Sequence, residues 1–184
     1  FNSSGTAIEN VALTGNLISS ALESSTGITF SQIANTIDFE SDTDSTLQSN
    51  YTRWYDSGSG WVEDTVNNDR LKISGEADVH GTKAMKVRGY SKFRLTLATD
   101  FPSATHINGM GLWMKNLGIK TYTLKWFYYR DTGLTDSYNP GSVCVPADGE
   151  WHYYQCGANV DAYNFALYLE ASGATSTDTV VIDY

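Results

Sequence analysis

The chain is short of most features that announce a protein class. It has no apolar run approaching the ~20 residues needed to cross a bilayer as a helix. Its 12 Lys and Arg are scattered among 21 Asp and Glu, giving a net charge of −9. Phosphate backbones are bound by clustered cations, so this balance argues against nucleic acid and an anionic membrane surface, as the short apolar runs argue against membrane insertion. The three histidines, His80, His106 and His152, are isolated, without the His-x-His or His-Glu-x-x-His spacing of a zinc site. No Gly-x-Ser-x-Gly elbow, phosphate loop or dinucleotide fingerprint occurs. The acidic clusters, Asp38 to Asp44 and Glu63 to Asp69, lie in polar, loop-like surroundings rather than the pKa-splitting cleft that paired catalytic carboxylates need. The expectation is a protein that is not an enzyme. With no initiator Met and no basic-then-apolar leader, the chain reads as a processed piece of something larger.

What is present is a globular composition, 41% hydrophobic and 18% charged over 184 residues. One domain of this length buries enough surface to need neither metal nor disulfide for a core. Residues 1–36 stand apart as a Ser/Thr/Gly-rich linker, stalk or edge segment, a possible contact for a homo-oligomer. From 37 to 184 strand follows strand. Ala84–Arg88, Phe93–Leu97, Met110–Lys115, Thr121–Arg130, Trp151–Cys156, Phe165–Glu170 and Thr179–Tyr184 alternate apolar with polar, and turn signals separate them. This predicts an all-β fold, a two-sheet antiparallel β-sandwich of the jelly-roll kind.

Cys144 and Cys156 flank an Asp-Gly turn and read as opposite members of a hairpin, close enough for a disulfide and hence for an oxidising compartment. Two free thiols of a reducing compartment are the alternative.

Five segments stand out in order: the opening strand Ile37-Asp38-Phe39-Glu40, Gly81-Thr82-Lys83-Ala84-Met85-Lys86-Val87, Gly111-Leu112-Trp113-Met114-Lys115, Gly149-Glu150-Trp151 and Val181-Ile182-Asp183. Through them residues 37–184 resemble the β-jelly-roll carbohydrate-binding modules appended to extracellular polysaccharide-degrading enzymes. The resemblance implies an extracellular, non-catalytic domain whose partner is a glycan. It also implies a structural Ca²⁺ held by Glu40, backbone carbonyls of Gly81 to Lys83, and Asp183, with Asp42 and Asp78 as possible additions. The alternative for these carboxylates is ordinary pairing with Lys or solvation.

The aromatic residues supply the positive signal, because flat C–H faces of sugars stack on rings while polar neighbours fix orientation. Alternation turns Trp113, Tyr129, Tyr168, Arg88 and Glu170 away from the core, predicting one sheet surface that carries all five. A second candidate is the loop-like Asn50–Asp56 and Gly58–Trp61 stretch, with Trp54, Tyr55 and Trp61. The same rings could instead pack under loops. Beside glycan binding stand a structural or adhesive module of a virion or cell-surface fibre and, further off, a polysaccharide lyase.

Overall fold

The computed structural model describes residues 39–65, 69–75 and 82–183. The expectations for residues 1–36, Asp78, His80 and Gly81 lie outside them. A short helix, α1 (Asp44–Asn50), opens the described chain. Thr43 caps it: its hydroxyl accepts from the Thr46 N–H while the Thr46 side chain accepts from the Thr43 N–H. Seven residues are too few for independent stability, so α1 depends on packing. Leu47, fully buried, supplies it.

Twelve strands follow: β1 (Tyr51–Asp56), β2 (Trp61–Glu63), β3 (Leu71–Ser74), β4 (Ala84–Val87), β5 (Lys92–Leu97), β6 (Thr105–Asn116), β7 (Tyr122–Tyr129), β8 (Ser137–Tyr138), β9 (Ser142–Val145), β10 (Trp151–Ala162), β11 (Asn164–Glu170) and β12 (Val180–Asp183). One sheet runs β2-β1-β5-β11-β7-β8, with β9 also on β7; the other runs β10-β6-β12-β4-β3. All pairings are antiparallel. This is the expected two-sheet β-sandwich of jelly-roll type.

Alternation builds its core. Phe93 and Leu95 of β5, Tyr122, Leu124, Trp126 and Tyr128 of β7, and Phe165, Leu167 and Leu169 of β11 point inward from the first sheet. Met85, Val87, Leu112, Met114, Val180 and Ile182 meet them from the second. Every one of these side chains is buried, and large inward side chains from both layers are what a sandwich core about 10 Å thick requires.

Three expectations fail. Phe39 and Glu40 form a turn rather than an opening strand. Tyr51–Asp56 and Trp61–Glu63 are strands, not a loop; the aromatic and Gly/Ser composition marks a hairpin whose turn is only Ser57–Gly60. The disulfide is also absent, since Cys144 and Cys156 are free thiols. The Asp148–Glu150 turn is real, with Asp148 accepting from the Glu150 N–H at 3.0 Å. It does not close a hairpin, because β9 pairs with β7 in one sheet and β10 with β6 in the other. Cys144 lies opposite Thr123 on the exposed side of its strand, while Cys156 lies opposite Met110 and packs toward the core.

Candidate functional site

The outer face of the first sheet gathers an aromatic cluster around one cation. Strand parity puts it there: in β1, Tyr51 and Arg53 are buried, so Thr52, Trp54 and Asp56 point outward. Cross-strand register then aligns Trp54 with Arg94, Arg94 with Tyr168, and Tyr168 with Lys125. The β1–β2 hairpin adds Trp61, opposite Asp56. Its turn needs Gly58 at φ 88° and Gly60 at φ 134°, conformations that side chains resist.

Arg94 lies under this surface. Its guanidinium carbon is 5.1 Å from the Trp54 ring centre, 4.8 Å from that of Trp61 and 5.7 Å from that of Tyr129. It donates one hydrogen bond, Nη1 to the Tyr129 hydroxyl at 2.8 Å. Its Nε is buried and has no partner among the described residues, and no carboxylate there ion-pairs with it. A cation held by ring faces and a single hydroxyl keeps N–H donors for something else.

Tyr168 links the cluster into a line, with ring centres 5.5 Å from Trp61 and 5.7 Å from Phe127, both edge-on. The Trp54 indole N–H donates to the Thr96 hydroxyl at 3.2 Å, fixing that ring. A polar rim borders the rings. Lys125 Nζ sits 5.1 Å from the Tyr168 ring centre and 3.3 Å from Glu170, and Lys92 lies 3.6 Å from Glu170 and 3.8 Å from Asp56. The Tyr168 hydroxyl donates to Glu170 at 3.1 Å. Partial burial pushes the Glu170 carboxyl up, but hydrogen bonds from Lys125 and Tyr168 and the two lysine charges win, holding it below the usual carboxylate range. Burial drives the Tyr168 phenol up to about 12, with the Glu170 charge adding to it. At neutral pH the face therefore carries an ionised carboxylate and an un-ionised phenol that hydrogen-bond to each other.

Of the five residues expected to share a surface, Tyr129, Tyr168 and Glu170 do so, and Trp54 and Trp61 of the second candidate join them. Tyr129 is on this face but buried, 4% exposed beneath Arg94. Trp113 turns out of the core as expected, yet it belongs to β6 of the other sheet, against Tyr153 at 5.4 Å. Arg88 and Tyr55 are elsewhere too, lining a cleft on the other side of β1. The single-surface expectation is thus corrected: parity tells which residues leave the core, not which sheet they leave from. Arg94, Phe127, Lys125 and Lys92 are the members it left out of the site. Their signal was the alternation about Phe93, Leu95, Leu124 and Trp126.

Of the implied calcium ligands, Glu40 is engaged by protein donors in this structure. The Glu40 carboxylate accepts from the Thr82 and Lys83 backbone N–H groups at 2.6 and 2.7 Å and from the Thr82 hydroxyl at 2.9 Å. Those amides, Thr82 first, hold its pKa below the usual range. The Lys83 ammonium donates to the carbonyls of Glu40 and Asp42 at 2.8 and 3.1 Å, placing a positive charge at this turn. Asp183 is buried in β12, opposite Trp113. Among the described residues no group of three or more His, Cys, Asp or Glu is placed to hold a metal.

No protein-family profile matches the chain, and no curated protein matches it. Solved structures do. The CBM22-1 xylan-binding domain of Paenibacillus barcinonensis Xyn10C shares 18% identity, over 61% of this chain and 76% of that one, with a TM-score of 0.45. A family 16 carbohydrate-binding module shares 17%, over 71% and 86%, at 0.39. The enzymatically active domain of bacteriophage CBA120 tailspike protein 4 shares 15%, over 81% of this chain and 20% of that one, at 0.46.

Proposed function

We propose that this chain binds poly- or oligosaccharide along the outer face of its first sheet, without cleaving it, as an extracellular module. The observation that carries the reading is the line of rings Trp61, Tyr168 and Phe127 laid around Arg94, with which no carboxylate among the described residues pairs. Rings of this kind offer apolar faces to sugar C–H groups, while Arg94, Lys125, Lys92 and Glu170 can fix hydroxyl positions. The chemistry supports binding over hydrolysis. Glu170 is kept ionised by two lysines, the opposite of the raised pKa a general acid needs. No helix among the described residues is long and apolar enough to cross a membrane.

The test is a glycan array followed by calorimetry with the best neutral polysaccharide. Trp61→Ala and Tyr168→Ala should each weaken binding by about 1–3 kcal/mol, and Trp113→Ala, on the other sheet, should leave it unchanged. Full binding by both face variants would overturn the assignment.

A further inference from the structure

We propose that a second site, the cleft lined by Arg53, Tyr55, Asp64, Arg88 and Tyr90, takes one carboxylate-bearing sugar unit, a hexuronic acid. The cleft measures about 240 Å³. It lies where the chain leaves β4 of one sheet for β5 of the other, beside β1. Strand parity separates it from the aromatic face: Arg53 is register partner to Leu95, while Trp54 is partner to Arg94. The two sites can therefore succeed or fail independently.

Its floor is rigid. Arg53 is 2% exposed, pairs with Asp64 at 2.7 Å, and donates to the carbonyls of Arg88 and Gly89 at 2.8 and 3.0 Å. Asp64 is fixed in turn, its N–H donating to the Arg53 carbonyl at 2.8 Å. Gly89 is obligatory, since a Cβ there would stand 1.4 Å from the Asp178 carbonyl oxygen. That close passage lets the Arg88 and Gly89 carbonyls face Arg53.

One charge is left over. Arg53 and Asp64 neutralise each other, but the Arg88 guanidinium has no hydrogen bond or ion pair among the described residues. Asp69, close enough to feel it, is engaged by Lys72 at 2.5 Å. In a protein of net charge −9, this cleft is locally positive. Burial first, and then the like charge of Arg88, lower the Arg53 pKa to about 10, against the pull of Asp64. An anion beside Arg88 would relieve that repulsion.

The walls select the kind of anion. Tyr55 and Tyr90 have ring centres 5.1 Å apart at 59°, and neither hydroxyl has a partner among the described residues. They present apolar ring surface and free O–H groups together, a match for a sugar ring and its hydroxyls rather than a bare inorganic ion. Asp64 at the floor disfavours a dianion such as phosphate, whereas a planar monocarboxylate suits the guanidinium fork. The volume is below the roughly 300–1,000 Å³ of drug-sized sites, which limits the occupant to a single ring.

The experiment is a titration of the full chain, followed by NMR and calorimetry, with glucuronic and galacturonic acids and their short oligomers. The matching neutral sugars and acetate run alongside. Uronates should bind saturably, more weakly as salt rises, and move resonances of Tyr55, Arg88 and Tyr90. Arg88→Met and Arg88→Gln should each weaken uronate binding about tenfold, the loss of one charge-assisted contact, while retaining the melting midpoint and neutral-polysaccharide binding at the aromatic face. Neutral sugar or acetate shifting the Tyr55, Arg88 and Tyr90 resonances as the uronate does, or uronate binding unchanged in both Arg88 variants, would each overturn the proposal.

Discussion

Asp178 shows how one carboxylate can hold a loop to a strand end. It is 4% exposed, and its oxygens accept from the Thr175 N–H at 2.8 Å and the Ile119 N–H at 2.9 Å. Those backbone bonds, Thr175 first, hold its pKa below the usual 3.8. Its backbone carbonyl also accepts from the Tyr122 hydroxyl at 3.3 Å. Asp178→Ala would strand two N–H groups and should cost about 3 kcal/mol in denaturant unfolding. The sign with pH follows from the direction of the shift. The folded state binds this proton less readily than the unfolded chain, so the stabilisation is complete above the unfolded value and is lost as pH falls below about 4. The difference in stability between the parent and Asp178→Ala should therefore be constant from pH 5 to 7 and shrink toward pH 3. A difference that stays constant to pH 3 would show that the loss comes from packing and not from the charge.

At the scale of elements, the strands legible in the sequence are those with one buried face. β5, β7 and β11 alternate because Phe93, Leu95, Leu124, Trp126, Leu167 and Leu169 face the core, and their outward partners follow by parity. Much of the binding face could be read for that reason. The first half of β6, Thr105 to Gly109, could not: it is largely exposed and pairs with the polar, bulged half of β10, so no buried face marks it. Trp54 and Trp61 looked like loop residues because the Gly/Ser turn between two short strands dominates the local composition. The cysteine pairing failed at a different step. A turn signal says that the chain reverses, whereas sheet membership is decided by packing of residues distant in sequence, here β9 on β7 and β10 on β6. Thiol titration of the denatured, unreduced chain should find two reactive groups, and reductant should leave the melting midpoint unmoved. A single thiol-free species would restore the disulfide.

Across the whole molecule the sandwich presents two outer faces of different character. One carries aromatics around Arg94, and the other exposes Tyr153 beside Trp113. Near the start of the described chain, the Glu40 turn is held by the Thr82 and Lys83 amides and the Lys83 ammonium. A cation bound there would have to displace the Lys83 ammonium from two carbonyls and turn the Glu40 carboxylate away from the Thr82 and Lys83 amides. A ligand that binds only the folded state raises stability by RT ln(1 + [L]/Kd), so such a site would announce itself in thermal unfolding. Melting midpoints in EDTA and in millimolar Ca²⁺ should coincide for the parent chain. Lys83→Met should lower the midpoint in both solutions, because it removes a donor from two carbonyls at once, and the two curves should again overlay. If calcium raises the parent midpoint, the ammonium is displaced in solution and the turn is a metal site after all; if calcium rescues only Lys83→Met, the lysine occupies the position of a cation that the same oxygens can still hold.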